Sequence, residues 1–210
     1  MSTARTTGLL LMVAPVVTFL TWAILWPALI GGGETPAEAL AELLANQQLS
    51  LILGTLGTLG MLSTFIGYRM LTGSLQGDEN AGGSYAQIAG MLIVLLAAVT
   101  LASSGLQFGV MEVGSEGNFE LAAILQSGSD NIGAMNGFFW GLATTLIGLA
   151  LVMQKKVTPI LAYLLVVIGV VGMIAFFDFV EIPDVVGMVM WVLWSAATVA
   201  VGFFTYKAAN

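Results

Sequence analysis

Long apolar runs recur along this chain of 210 residues, and they restrict its fold more than any other feature. A helical run of about 20 apolar residues is long enough to cross the hydrocarbon core of a bilayer. Six segments qualify, at 8–30, 49–71, 88–111, 132–153, 157–179 and 185–206. Only 8% of the residues are charged, whereas soluble proteins have roughly 25%. The sequence therefore predicts an all-α membrane protein, a six-helix transmembrane bundle that forms one polytopic domain over residues 1–210.

The basic residues indicate how such a bundle is oriented. With six spans, all five of them fall on the same side of the membrane: Arg5, Arg69, Lys155, Lys156 and Lys207. Most acidic residues fall on the opposite side. Because lysine and arginine are enriched in cytoplasmic loops, we expect both termini in the cytoplasm and the acidic loops outside. The expected location is the inner (plasma) membrane of the cell.

Two short amphipathic helices are predicted in the outer loops. In the first loop, Thr35, Pro36 and Glu38 form the pattern of a capping box with proline at the first helical position. Apolar and acidic residues then separate onto two faces, as in a helix at the membrane surface or against the bundle. The segment Asn118–Gln126 in the second outer loop repeats this plan less regularly.

Small residues recur at helical spacing in two of the predicted spans. In the second span they are Gly54, Gly57 and Gly60, and in the fifth they are Gly169 and Gly172. In lipid, such a face allows another helix to approach closely. We therefore predict that these glycines are helix-packing positions, which serve either the bundle itself or its association with other membrane subunits.

Several classes of function are disfavoured by composition. The chain has no histidine and no cysteine, which removes common metal and haem ligands and the usual catalytic base. Its net charge of −7 disfavours nucleic acid as a partner. No nucleotide-binding glycine motif or calcium-binding loop is present. We expect no enzymatic activity, no cofactor and no metal site.

This threading places Asp178 within the fifth span, near its outer end. Ionisable residues inside a membrane usually mark functional sites. A polar stripe occupies one face of the third span at similar depth: Thr100, Ser103, Ser104 and Gln107. Asn136 begins the fourth span nearby. These residues predict an outward-facing vestibule that binds a small solute or cation. Alternatively, Asp178 reaches head-group water and the stripe forms hydrogen bonds between helices.

The tryptophans fall into two groups. Trp22 and Trp26 lie in the outer third of the first span and are predicted to belong to the interfacial aromatic belt. Trp140, Trp191 and Trp194 lie deeper in their spans. They either line an aromatic pocket for a flat or cationic ligand or pack in the core. We include Trp140 with Asp178 and the polar stripe in the candidate ligand site.

The segment GLATTLIGLALVMQKKVTPILAYLLVVIGVVGMI, Gly141 to Ile174, resembles an uncharacterised bacterial family of six-helix integral membrane proteins. The family is known as a domain of unknown function. The shared features are a glycine- and leucine-rich helix, a basic turn with proline and a second apolar helix with glycines. The stretch Thr35–Leu71 is also similar to this family. The resemblance implies a six-helix fold and no particular activity.

Two functions are compatible with these patterns. In the first, the protein binds or passes a small solute or cation through an acidic outward-facing vestibule. In the second, it is a non-catalytic accessory subunit or a homo-oligomer whose glycine faces pack against other membrane helices. The grouping of polar residues at one depth favours the first function.

Overall fold

The computed structural model describes residues 2–33, 35–176 and 184–209. These ranges contain seven helices: α1 (Thr3–Leu29), α2 (Pro36–Ala45), α3 (Gln47–Leu75), α4 (Gly83–Ser115), α5 (Phe119–Gln154), α6 (Pro159–Phe176) and α7 (Asp184–Lys207). All except α2 are long and apolar enough to span a membrane. The predicted all-helical architecture is confirmed for the described residues, with six helices that are long and apolar enough to span a membrane.

The second predicted short helix, Asn118–Gln126, is not a separate element. Its residues form the first turns of α5, where the side chain of Asn118 accepts a hydrogen bond from the Leu121 amide at 3.3 Å. No proline interrupts the chain between the start and the end of α5. Because nothing breaks the backbone hydrogen bonds, the helix continues from its polar first turns directly into its apolar part.

Helix α2 is the one short helix that remains separate within the described residues. The predicted capping box is present, since Thr35 Oγ1 accepts from the Glu38 amide at 3.3 Å and Glu38 Oε2 accepts from the Thr35 amide at 3.1 Å. Its leucines pack against α4 and α5 in a small apolar cluster: Leu40, Leu43, Val110, Met111 and Ala122. Helix α2 thus covers one end of the bundle.

Neighbouring spans run in opposite directions. Helix α1 packs between α3 and α7, α3 also packs against α4, and α5 packs between α4 and α6. Contacts between α6 and α7 are much sparser. Gly8 lies against Tyr206, and Gln154 Nε2 donates to the Leu75 carbonyl at 2.7 Å, which places the start of α1 beside the end of α7 and the end of α5 beside the end of α3.

This threading gives the bundle two chemically different ends. We call one the basic end, because it carries Arg5, Arg69, Lys155, Lys156 and Lys207. The other is the α2 end, which carries α2 and the turn between α4 and α5. The grouping of the basic residues at one end follows from six alternating spans, as the sequence predicts.

Glycine allows the helices of the bundle to pack closely. A methyl group at Gly60 would lie 2.6 Å from Thr18 Oγ1 of α1, and one at Gly57 would overlap the indole of Trp22. A methyl group at Gly169 would overlap Thr145 of α5. These three predicted packing positions are therefore buried against helices of the same chain.

The other two predicted packing glycines have more room. A methyl group at Gly54 would lie 4.0 Å from the Trp26 ring, and one at Gly172 would lie 3.8 Å from Gly141 Cα. Both distances are ordinary van der Waals contacts. Gly54 and Gly172 instead line two cavities, which are described below.

Candidate solute-binding site

A cavity of about 670 Å³ lies at the α2 end of the bundle. Its walls come from α1, α3, α4 and α5, and α2 contributes Ala39 and Leu43 from above. This volume is within the range of about 300–1,000 Å³ that is usual for small-molecule sites. The cavity is therefore large enough to hold an organic solute.

One wall of the cavity is the predicted polar stripe of α4. Its members are Thr100, Ser103, Ser104 and Gln107, and all four line the cavity. They are three or four residues apart, so they share one face of the helix. Asn136 of α5 lines the same cavity. The structure thus brings together five of the seven residues of the sequence-predicted ligand site.

A second polar stripe, on α5, was missed by the sequence analysis. Gln126, Ser129, Asp130 and Gly133 line the cavity beside Asn136. Their spacing of three and four residues is the helical signal that could have identified them. The predicted short helix Asn118–Gln126 divides this stripe into two segments, whereas the structure has one continuous helix α5 from Phe119 to Gln154.

Hydrogen bonds connect the polar walls. Ser129 is central: its Oγ lies 2.9 Å from Ser103 Oγ and accepts a hydrogen bond from Gln107 Nε2 at 3.1 Å. Thr58 Oγ1 of α3 lies 3.0 Å from Ser104 Oγ. The interpretation of the stripe as interhelical hydrogen bonding therefore also holds for these groups. The bonds fix the orientation of side chains that border the cavity.

Two tryptophans of α1 form another wall of the cavity. Trp22 and Trp26 line the cavity, with ring centroids 4.9 Å apart and planes inclined by 37°. Both are half-buried. The predicted interfacial depth of the two tryptophans stays a prediction, since cavity lining does not determine depth in the membrane.

The α1 backbone is π-helical next to this wall. The π-helical turn spans Leu20–Leu25, and the Trp26 amide donates to the Thr21 carbonyl, five residues earlier. Pro27 follows at once. Proline has no amide hydrogen and its ring collides with the carbonyl four residues before it, so the wider turn accommodates it.

Among the described residues, Asp130 is the only charged one that lines this cavity. Gln126 Nε2 donates to Asp130 Oδ1 at 2.9 Å, and the Asp130 side chain is exposed. Glu42 does not line the cavity, but its Oε2 accepts from the Gly33 amide at 2.9 Å, next to the lining residues Gly31 and Gly32. The site therefore carries negative charge on one wall, from Asp130, and a second carboxylate lies close to its lining.

A second, smaller cavity of about 320 Å³ lies between α5, α6 and α7. Trp140, Trp191 and Trp194 all line it, together with apolar residues and glycines. Trp140 and Trp194 meet edge to face, with centroids 4.8 Å apart. Trp140 thus belongs to this cavity and is not beside the polar stripe. Met61 of α3 lines both cavities.

Below these cavities, the half of the bundle toward the basic end is closely packed. Tyr68 is 1% exposed, and its hydroxyl lies 2.6 Å from Thr198 Oγ1 of α7. The same core contains many aliphatic side chains, among them Leu11, Leu75, Ile93, Ile147, Leu151 and Leu165. The polar cavity is therefore bounded on this side by a dense apolar layer.

The predicted site residue Asp178 lies outside the described residues. Within the described ranges, no group of three or more acidic, histidine or cysteine side chains is arranged to hold a metal ion. No protein-family model, curated protein or solved structure matches the chain. The resemblance of residues 141–174 and 35–71 to a bacterial six-helix family stays a prediction.

Proposed function

We propose that this protein is a multi-pass membrane protein that binds a small polar solute in the cavity at its α2 end. The observation that carries the proposal is the convergence of two polar helix faces, from α4 and α5, on one cavity of about 670 Å³. Polar side chains in a membrane protein are retained where they meet protein or water. A cavity lined by them is suited to a solute that forms hydrogen bonds.

We further propose that the cavity faces the outside of the cell, in the inner (plasma) membrane. The support is the grouping of all five basic residues at the opposite end, which the positive-inside rule assigns to the cytoplasm. Both termini would then be cytoplasmic. The solute would enter from the side that carries α2.

The alternative function, an accessory or oligomer-forming subunit, receives less support. Three of the five glycines on which it depends, Gly57, Gly60 and Gly169, are buried against helices of the same chain. These three glycines already pack against helices of the same chain and are not accessible to a helix of another subunit. The polar cavity has no role in that function.

The absence of native cysteine allows a direct test of hydration and orientation. Ser104→Cys places a thiol on the cavity wall, and Ala102→Cys places one on the exposed, lipid-facing side of the same helix. We expect a membrane-impermeant methanethiosulfonate added outside intact cells to modify Ser104→Cys but not Ala102→Cys. Equal reactivity of the two variants, or modification of Ser104→Cys only after the cells are opened, would contradict the proposal.

Solute binding is tested by filling the cavity. A side chain at Gly133 points into open cavity space and one at Gly105 into open space facing lipid, since neither position has a neighbouring atom within 4 Å. A panel of amines, amino acids, polyols and organic acids is screened for an increase in the Tm of the purified protein. We expect at least one compound to stabilise the parent and Gly105→Trp but not Gly133→Trp. Stabilisation that persists in Gly133→Trp, or its absence across the panel, would refute binding at this cavity.

A further inference from the structure

The charge and the aromatic wall of the cavity indicate the chemical class of its solute. Resting on the proposed function, we propose that the solute is a small organic cation, either a protonated amine or a quaternary ammonium. It lies between the Asp130 carboxylate of α5 and the indoles of Trp22 and Trp26 of α1. Each part of this assignment follows from the lining of the cavity.

The Asp130 carboxylate gives the cavity wall a negative charge. Asp130 lines the cavity, whereas no lysine or arginine of the described residues does so. A carboxylate attracts a cation that is held close to it, and this attraction weakens as the distance between the two charges grows. An organic anion would be repelled by Asp130, and a neutral solute could form a hydrogen bond with the carboxylate but would lack the attraction between two full charges.

The surroundings of the cavity have the same sign. The described acidic residues at the α2 end include Glu38, Glu42, Glu112, Glu116, Glu120 and Asp130, and Asp184 begins α7 at the same end. All basic residues of the chain lie at the opposite end. Such an arrangement raises the local concentration of cations near the opening.

The tryptophans supply the second contact. The face of an indole attracts a cation that lies within about 6 Å of the ring. Trp22 and Trp26 present two such rings on the wall contributed by α1. The indoles belong to α1 and the carboxylate belongs to α5, and these two helices are not neighbours in the bundle. The two kinds of group therefore line the cavity from separate helices.

The size and the other groups favour an organic cation over a metal ion. The cavity is far larger than a bare ion, and the described residues offer no cluster of three metal-ligating side chains around it. Divalent cations such as calcium prefer six to eight oxygen ligands at short distance. The hydroxyl groups of Ser103 and Ser104 are instead suited to hydrogen bonds with an N–H or O–H of the solute.

The test compares choline with 3,3-dimethylbutan-1-ol, which has the same shape but a carbon atom in place of the charged nitrogen. Each compound competes with thiol modification of full-length Ser104→Cys in detergent. We expect choline to slow the modification and the neutral alcohol to be at least about tenfold less effective, as for the loss of one charge interaction at close range. Equal protection by the two compounds, or no protection by choline at millimolar concentration, would overturn the assignment.

Substitutions of single acidic residues test which carboxylate is responsible for the preference for choline. In the Ser104→Cys background, Asp130→Asn should abolish the preference for choline and Asp130→Glu should retain it. Glu116→Gln is the matched control, because Glu116 is acidic and at the same end but does not line the cavity. A preference for choline that survives Asp130→Asn, or is lost in Glu116→Gln, would overturn the role of Asp130.

This result is separable from that of the proposed function. If a neutral compound of the panel stabilises the parent but not Gly133→Trp, while choline gives no protection, the cavity binds a solute and the cationic class is wrong. If no compound stabilises the parent, the proposed function itself fails.

Discussion

The hydroxyl pair of Tyr68 and Thr198 connects α3 to α7 in the packed half of the bundle, and it predicts an asymmetric response to mutation. The two oxygen atoms are 2.6 Å apart, and Thr198 Oγ1 also donates to the Trp194 carbonyl of its own helix at 2.8 Å. With the Thr198 proton engaged in that bond, the Tyr68 hydroxyl is the donor between the two helices. Both residues are almost fully buried, at 1% and 0% exposed.

The two single changes therefore differ in what they leave behind. Tyr68→Phe removes the donor, but Thr198 keeps its bond to the backbone, so the loss is one interhelical hydrogen bond. Such bonds contribute about 0.6 kcal/mol on average in membrane proteins. Thr198→Val leaves the buried Tyr68 hydroxyl without this acceptor, which costs roughly 1–3 kcal/mol. Thr198→Val should therefore destabilise the protein more than Tyr68→Phe.

The assay is reversible unfolding in mixed micelles of dodecyl maltoside and dodecyl sulfate, monitored by tryptophan fluorescence. The double variant should be more stable than Thr198→Val alone, because no unpaired hydroxyl remains. The reasoning is refuted if Tyr68→Phe is the more destabilising change. It is also refuted if adding Tyr68→Phe to Thr198→Val brings no recovery.

Three further changes test other contacts. Gly57→Ala should lower stability and alter the fluorescence of Trp22, which a methyl group would overlap, whereas Gly105→Ala has open space and should leave both unchanged. Ser129→Ala removes the acceptor of a glutamine amide and the partner of a serine hydroxyl, and should cost about 1 kcal/mol in the same unfolding assay. Thr35→Ala removes the N-cap of α2, worth about 1 kcal/mol, and should accelerate hydrogen exchange in that helix only.

The sequence contains enough information for the spans and for one wall of the site. Hydropathy alone locates six helices, because each must be apolar enough to enter lipid. The stripe from Thr100 to Gln107 stands out because polar groups interrupt an apolar helix at helical spacing. The capping box at Thr35 is equally local, since the residues that form it are adjacent in sequence.

The second wall of the site could not be recognised in this way. The residues 127–131, SGSDN, have the composition of a loop between the predicted short helix and the fourth span, yet they continue α5 and bring Ser129 and Asp130 to the cavity wall. The inward direction of Trp22 and Trp26 depends on which helices lie beside α1. That order is a property of the whole bundle and is not present in any one segment.

The positions of the cavities suggest how binding could be coupled to movement. Helices α1, α3 and α7 pack together, as do α4, α5 and α6, and the two groups meet through α3–α4 and through the sparse contact of α6 with α7. The polar cavity lies between the groups on one side, the tryptophan-lined cavity lies between them on the other, and Met61 borders both.

Many transporters work by rocking one helix bundle against another around a fixed site. In this chain, the hydroxyl pair of Tyr68 and Thr198 lies within the group of α1, α3 and α7, in the packed half of the bundle toward the basic end. Rocking of the two groups against each other would therefore leave this hydrogen bond intact.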